Sequence, residues 1–267
     1  MKRKPCVSGQ FYPASQKELL ETIRSLCKKE EVKKKVKGVI LPHAGYIFSG
    51  KVAGLTLSKV TIPQRVILIG PNHTGRGEVF SLWEGDNWIT PLGEVKIDQE
   101  LRNLLLKNSN ILKLDSLAHE FEHCLEVILP FLQYFNPQIK LTPIVIGGGT
   151  PNEWEELAKS LFKSVRELEE EVLLIASSDF SHYEPDVTAR KKDDLAIQAI
   201  LRLDKTEFFK KVVQEGMTIC GYMPIIVLLN YCELCGCKSA ELISYMTSAD
   251  VTGDRDSVVG YAGIIFY

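Results

Sequence analysis

Apolar residues recur along this chain at two spacings. Leu19, Ile23 and Leu26 fall at helical intervals behind Ser15-Gln16-Lys17-Glu18. In that tetrad the Ser15 hydroxyl and the Glu18 carboxylate can satisfy free helix N–H groups, so a first amphipathic helix is expected over residues 15–29. Short, β-branched apolar runs at 36–41, 66–69, 141–146 and 172–176 show no polar alternation. Strands covered on both faces read this way. Helices are expected between them at 98–107 and 122–134. Thr150-Pro151-Asn152-Glu153 opens another, with Thr150 as N-cap and Pro151 in the first turn. Further helices are expected over 187–202, 204–215 and 222–234, and strands over 242–246 and 258–266. This alternation predicts a single α/β domain over residues 1–267: three layers (αβα), with a mixed, mainly parallel central sheet and helices on both faces.

Composition adds exclusions more than assignments. Apolar residues make up 45% of the 267 and charged residues 25%, which suits a globular protein that needs no disulfide or metal to fold. A formal charge of −2 gives no electrostatic reason to expect nucleic acid or a membrane as partner. The basic start, Met1 to Lys4, leads into no apolar segment of signal length, and no stretch approaches a membrane span. Seven cysteines without a secreted-type spacing fit the same reading, so a cytoplasmic location is expected. The basic run Lys28 to Lys37, broken by Glu30 and Glu31, reads as a helix end and a solvated loop.

The histidines change the picture. His43 follows Val39-Ile40-Leu41-Pro42, His73 follows Leu68-Ile69-Gly70-Pro71-Asn72, and His182 closes Ser177-Ser178-Asp179-Phe180-Ser181-His182. Each stands just beyond an expected strand, at the sheet edge where open α/β folds bind ligands. One histidine so placed is more often a loop residue or a cap. Three in the same context point to a site, since imidazole is both a metal ligand and an acid/base group. Asp179, three residues before His182, belongs to the same loop. His119 and His123 match the zincin pattern H-E-x-x-H literally. That chemistry needs both within one helix, whereas helical periodicity here starts near Glu122, so a protease is not expected. Both remain candidates to line the pocket.

Several ordered segments together resemble the Memo family, also called AmmeMemoRadiSam system protein B. They are Ser8-Gly9-Gln10-Phe11-Tyr12-Pro13, Pro42-His43-Ala44-Gly45-Tyr46, Gly70-Pro71-Asn72-His73, Thr90-Pro91-Leu92-Gly93 and Glu122-His123-Cys124-Leu125-Glu126. Ser177 to His182, Thr218-Ile219-Cys220-Gly221 and Ser257 to Ala262 complete the set. The resemblance implies a fold like that of the class III extradiol dioxygenases (LigB-like), which hold non-haem iron. For this chain it implies His43, His73 and Cys220 as metal ligands, with Asp179 and His182 in the catalytic positions and His182 as the acid/base. It also implies association with AMMECR-domain and radical-SAM pathway proteins.

Cys220 stands where the dioxygenases place a carboxylate ligand, which argues against ring cleavage. A thiolate shifts preference toward copper, zinc or thiolate-ligated iron. The expected function is therefore a redox-related or oxygen-handling protein on iron or copper. One alternative is a non-catalytic module whose inherited pocket binds a peptide or small molecule, with Tyr46 and Phe48 as recognition aromatics. Another is a zinc hydrolase. Cys232, Cys235 and Cys237 lack a second cluster to complete a zinc set and read as packing. Gly147-Gly148-Gly149 reads as a tight strand-to-helix turn, and Asp250, Asp254 and Asp256 read as a surface turn.

Overall fold

The computed structural model describes residues 1–30 and 32–267, so Glu31, within the basic run, lies outside the described residues. Among the described residues twelve strands form one sheet: β1 (Lys2–Arg3), β2 (Gly38–Leu41), β3 (Arg65–Pro71), β4 (Phe80–Leu82), β5 (Asn87–Thr90), β6 (Gly93–Ile97), β7 (Lys113–Leu114), β8 (Lys140–Ile146), β9 (Val172–Ser177), β10 (His182–Glu184), β11 (Ala240–Thr247) and β12 (Val258–Phe266). The main path runs β1-β5-β6-β8-β3-β9-β2-β12-β10, with β11 on β12, and β4 on β7 and β8. The central four strands, β8, β3, β9 and β2, are parallel, while β12 turns the edge antiparallel. The helices are α1 (Gln16–Leu26), α2 (Tyr46–Ser58), α3 (Gln99–Asn108), α4 (Leu117–Glu120), α5 (Leu129–Phe135), α6 (Pro151–Leu168), α7 (Asp186–Leu201), α8 (Lys205–Gln214), α9 (Tyr222–Leu234) and α10 (Ala249–Thr252).

The central strands supply both cores. Ile40, Ile67, Ile69, Leu174, Ile144 and Ile146 face one side, with α3, α6, α7, α8 and α9 over them. Val39, Leu41, Val66, Leu68, Leu173, Ile175 and Leu141 face the other, under α1, α2 and α5. Successive residues of a strand point to opposite faces, so an unbroken apolar run is what a two-faced burial requires. Burying one such Leu or Ile is worth about 1.5–3 kcal/mol, so the paired cores are the main stabilising term. The three-layer α/β architecture with its mixed, mainly parallel sheet is the one the sequence predicts.

Three local expectations need correction. The first helix stops at Leu26, with Cys27 extended and the Lys28 N–H donated to the Ser58 hydroxyl at 2.9 Å. Ser15 stands at its N-cap without a side-chain bond, so Leu19 and Ile23 in the core hold this helix and not a capping box. The helix expected over 122–134 begins only at Leu129, with Pro130 in its first turn. Before it, the Glu122 carboxylate takes the Cys124 N–H at 2.9 Å, which commits that backbone to a turn. Thr150 is the N-cap as expected, and Glu153 completes a capping box by returning to the Thr150 N–H at 2.8 Å. Among the described residues no helix is long and apolar enough to cross a membrane.

Candidate metal centre

β2, β3 and β9 are parallel and in register, Leu41 beside Ser177 and Ile69 beside Ala176, so they end at one edge of the sheet. The residues that follow them, His43, His73 and Asp179, are delivered there together. His43 and His73 have ring centroids 5.2 Å apart. His123, from the turn before α5, lies 5.5 Å from His43 and 4.8 Å from His73 by the same measure. One ligand atom from each of the three imidazoles lies within 4.8 Å of the others. Cys220 approaches from the loop ahead of α9, its Sγ 3.3 Å from His43 Nε2. His43 is buried, His123 half-buried and His73 open to solvent, so the cluster is reached from the His73 side.

Hydrogen bonds fix the protons. The Ser177 hydroxyl donates to the Cys124 carbonyl at 2.7 Å and has no second proton to give. Its contact with His43 Nδ1, also 2.7 Å, must therefore be accepted from an Nδ1–H. That leaves the Nε2 lone pair of His43 toward Cys220. His73 is set the same way: Nδ1 lies 2.9 Å from Glu122 Oε1, and its backbone N–H donates to Glu122 Oε2 at 2.5 Å. His123 Nδ1 is 3.4 Å from the same carboxylate. A carboxylate that orients a ligating imidazole is a recurrent arrangement around protein-bound metals.

Burial and the Glu122 carboxylate set the charges of the cluster. Burial works against the Glu122 charge, but the hydrogen bond and charge of His73, the Cys124 N–H and His123 outweigh it and hold the carboxyl at about 2. His73 is raised, the Glu122 bond and charge overcoming burial. Burial, then the neighbouring histidines, keeps His43 neutral, well below the usual imidazole value. Burial also lowers His123, against the pull of Glu122. Asp179 is raised to about 6 by burial, despite the His43 N–H it accepts at 2.8 Å. Burial and then the Asp179 charge push the Cys220 thiol up. The Asp179 N–H donates to Cys220 Sγ at 3.2 Å, so that thiol faces a donor as well as an imidazole. His182 donates its backbone N–H to Thr218 Oγ1 at 2.7 Å, and its Nδ1 bonds the Thr218 carbonyl at 2.8 Å. This ring, too, is left with Nε2 as its free atom.

Of the residues singled out by the sequence, His43 and His73 fall in the cluster, which His123 completes; Cys220 and Asp179 contact His43, and His182 bonds Thr218, two residues before Cys220. His119 does not join them. It is fully buried in α4, between Trp83 and Trp88, and neither ring nitrogen has a partner. The literal zincin match is thereby split between two places. Tyr46 is a core residue, its hydroxyl donated to the Val127 carbonyl at 2.9 Å, so it is unavailable for recognition at the pocket. Phe11 is the aromatic that meets the cluster, 5.0 Å from His123.

The sequence of this chain matches the family described as "Memo-like protein" over residues 3–265. The chain belongs to the Memo family. A MEMO1 family protein of Aquifex aeolicus is 43% identical over 99% of this chain and 98% of its own length. One of Methanobrevibacter smithii is 37% identical over the whole of both. An uncharacterised protein of Escherichia coli K12, solved by crystallography, superposes with a TM-score of 0.55 at 15% identity, covering 86% of this chain and all of its own, and shares the fold alone. In this Memo chain the placement of Cys220 rests on Gly221. A Cβ there would overlap the Ser177 carbonyl oxygen and the Ser178 side chain. Gly221→Ala is therefore expected to cost about 1–3 kcal/mol of stability and to displace Cys220, read as a shifted urea midpoint together with a changed rate of Cys220 alkylation. A wild-type midpoint would mean that the loop has slack.

Proposed function

We propose that this Memo chain holds a redox-active metal, iron or copper, on His43 Nε2, His73 Nε2 and Cys220 Sγ, and acts in redox or oxygen-handling chemistry and not in aromatic ring cleavage. The observation that carries the proposal is the pair of imidazoles whose Nδ1 atoms are committed to Ser177 and Glu122, leaving two fixed Nε2 donors beside a thiol. The donor set fits such an ion: two neutral nitrogens and one sulfur favour a borderline or soft metal over magnesium or calcium. When bound, iron or copper supplies one-electron chemistry and open coordination positions that a carboxylate-rich site would tune differently.

The chain's own groups do the rest. Glu122 balances the added positive charge and fixes the His73 ring. Asp179 orders the His43 backbone through Oδ1 and leaves its second oxygen to carry a proton. His182, anchored at Nδ1 by Thr218, exchanges a proton at Nε2 as the acid/base. Phe11 and His123 form one wall of the cluster. The test is elemental analysis of anaerobically purified wild type beside Cys220→Ala. Near-stoichiometric iron or copper, lost in the variant, is the expected result. A protein that stays metal-free even after loading overturns the proposal and leaves the pocket as a ligand-binding module.

The three-imidazole set favours one second reading, a zinc hydrolase. His43, His73 and His123 match the three-nitrogen donor set of catalytic zinc sites, in which a bound water of lowered pKa is the nucleophile. Under that reading metal is retained in Cys220→Ala and lost in His123→Ala, with ester turnover dependent on added zinc.

A further inference from the structure

The three cysteines near the end of α9 stand apart from the metal cluster. The helix ends at Leu234, Cys235 is its C-cap, and Gly236 turns left-handed with φ +74°. The Gly236 N–H donates to the Glu233 carbonyl at 3.0 Å and the Cys237 N–H to the Cys232 carbonyl at 2.9 Å. Those two bonds define a Schellman motif, which brings the side chain of the third-from-last helical residue against that of the residue after the glycine. In most proteins that contact is apolar. Here both positions are cysteine, and both side chains belong to the same buried cluster.

The two thiols are not equivalent. Cys232 is fully buried, its sulfur packed onto Gly38 at the start of β2, whereas Cys237 keeps 8% of its surface exposed. The neighbouring Cys232 thiol and, after opposing burial, the charge of Lys37 favour the Cys237 thiolate. Cys232 is pushed up by burial and keeps its proton. Cys235, the C-cap, is half-buried, and its backbone N–H donates to the Tyr231 carbonyl. All three are free thiols.

We propose that Cys232 and Cys237 form a peroxide-sensitive dithiol, a second redox centre at the far end of α9 from Cys220. The helix has 13 residues, which at 1.5 Å per residue separates the two centres by about 20 Å. The Cys237 thiolate attacks one oxygen of hydrogen peroxide: an S–O bond forms, the O–O bond breaks, and the departing hydroxide leaves as water with a proton from solvent. The Cys232 sulfur then attacks the Cys237 sulfenic sulfur: an S–S bond forms, the S–O bond breaks, and a second water leaves with the Cys232 proton. The pair loses two electrons, peroxide gains them, and thiol reductants reverse the change.

The experiment is peptide mapping of wild-type protein after brief hydrogen peroxide treatment and alkylation. Cleavage after Glu233 separates Cys232 from Cys235 and Cys237, so a cross-link survives as two joined peptides that dithiothreitol parts. The expected result is a Cys232–Cys237 link, retained in Cys235→Ser and absent in Cys237→Ser. Cys237 converted to sulfinic acid with Cys232 still alkylated, a link through Cys235, or no reaction at Cys237 would each overturn the proposal. The wild-type map alone decides, so a variant that folds poorly does not cloud the answer.

Discussion

Glu122→Gln is expected to lower metal affinity by about 10–100-fold while the chain stays folded, the usual cost of removing a carboxylate that orients a ligating histidine. The Glu122 oxygens take four contacts: the His73 N–H and Nδ1, the Cys124 N–H, and the more distant His123 Nδ1. An amide keeps one acceptor oxygen but turns an NH2 toward groups that are themselves donors. His73 loses both the partner that fixes its Nδ1–H tautomer and the negative charge that offsets a bound cation. The measurement is chelator competition on anaerobic protein, with urea unfolding of the metal-free form run alongside. Lowered affinity in a variant that still unfolds cooperatively, at a reduced midpoint because a buried charge is lost, supports the orienting role. Wild-type affinity would mean that His73 is held by packing or does not bind the metal.

The sequence exposed the parts of this site that grow from strands. His43, His73 and Asp179 could be placed because an apolar run of strand length precedes each, and parallel strands in register must end together. His123 was less visible, because Glu122 to Phe135 carries apolar residues at near-helical spacing. The available signal was Pro130, which favours the first turn of a helix and so puts the helix start near Leu129 and frees Glu122 to Ile128 for another conformation. Cys220 gave no local signal beyond its family resemblance, since it reaches His43 across 177 residues of chain. Helix α2 was hidden for a different reason. It is buried on nearly all sides, so it lacks the polar stripe that marks an amphipathic helix. The pairing of Cys232 with Cys237 depends on the handedness of Gly236, which spacing suggests only once the helix end is known.

Glu126→Gln is expected to destabilise the fold by about 3–5 kcal/mol, the range for stripping one partner from a buried ion pair. Arg3 and Glu126 are both about 1% exposed at their side chains and lie 2.7 Å apart. Glu126 also accepts from the Cys6 N–H at 2.8 Å, the Cys6 thiol at 3.1 Å, the Val7 N–H at 3.0 Å and the Tyr12 hydroxyl at 2.6 Å. Five donors converge on one carboxylate, so an amide NH2 in that place faces donors whichever way it turns. Arg3 meanwhile donates to the His119 and Glu122 carbonyls at 2.7 and 2.6 Å, which ties the first dozen residues to the turn carrying Glu122 and His123. The loss should therefore appear as faster amide exchange over residues 3–12 as well as a lower unfolding midpoint. Burial would raise the Glu126 pKa, but the Arg3 charge and the Cys6, Tyr12 and Val7 bonds bring it below its ordinary 4.5. A depressed carboxyl contributes stability that is present above the unfolded value and lost as pH falls through the folded one. The gap between wild type and Glu126→Gln should accordingly be full at pH 7 and narrow below about pH 4.5 as the wild-type carboxyl protonates. A gap under about 1 kcal/mol at neutral pH, or one that does not narrow in acid, would show that the Glu126 charge is not what holds the amino-terminal segment to the turn of Glu122 and His123.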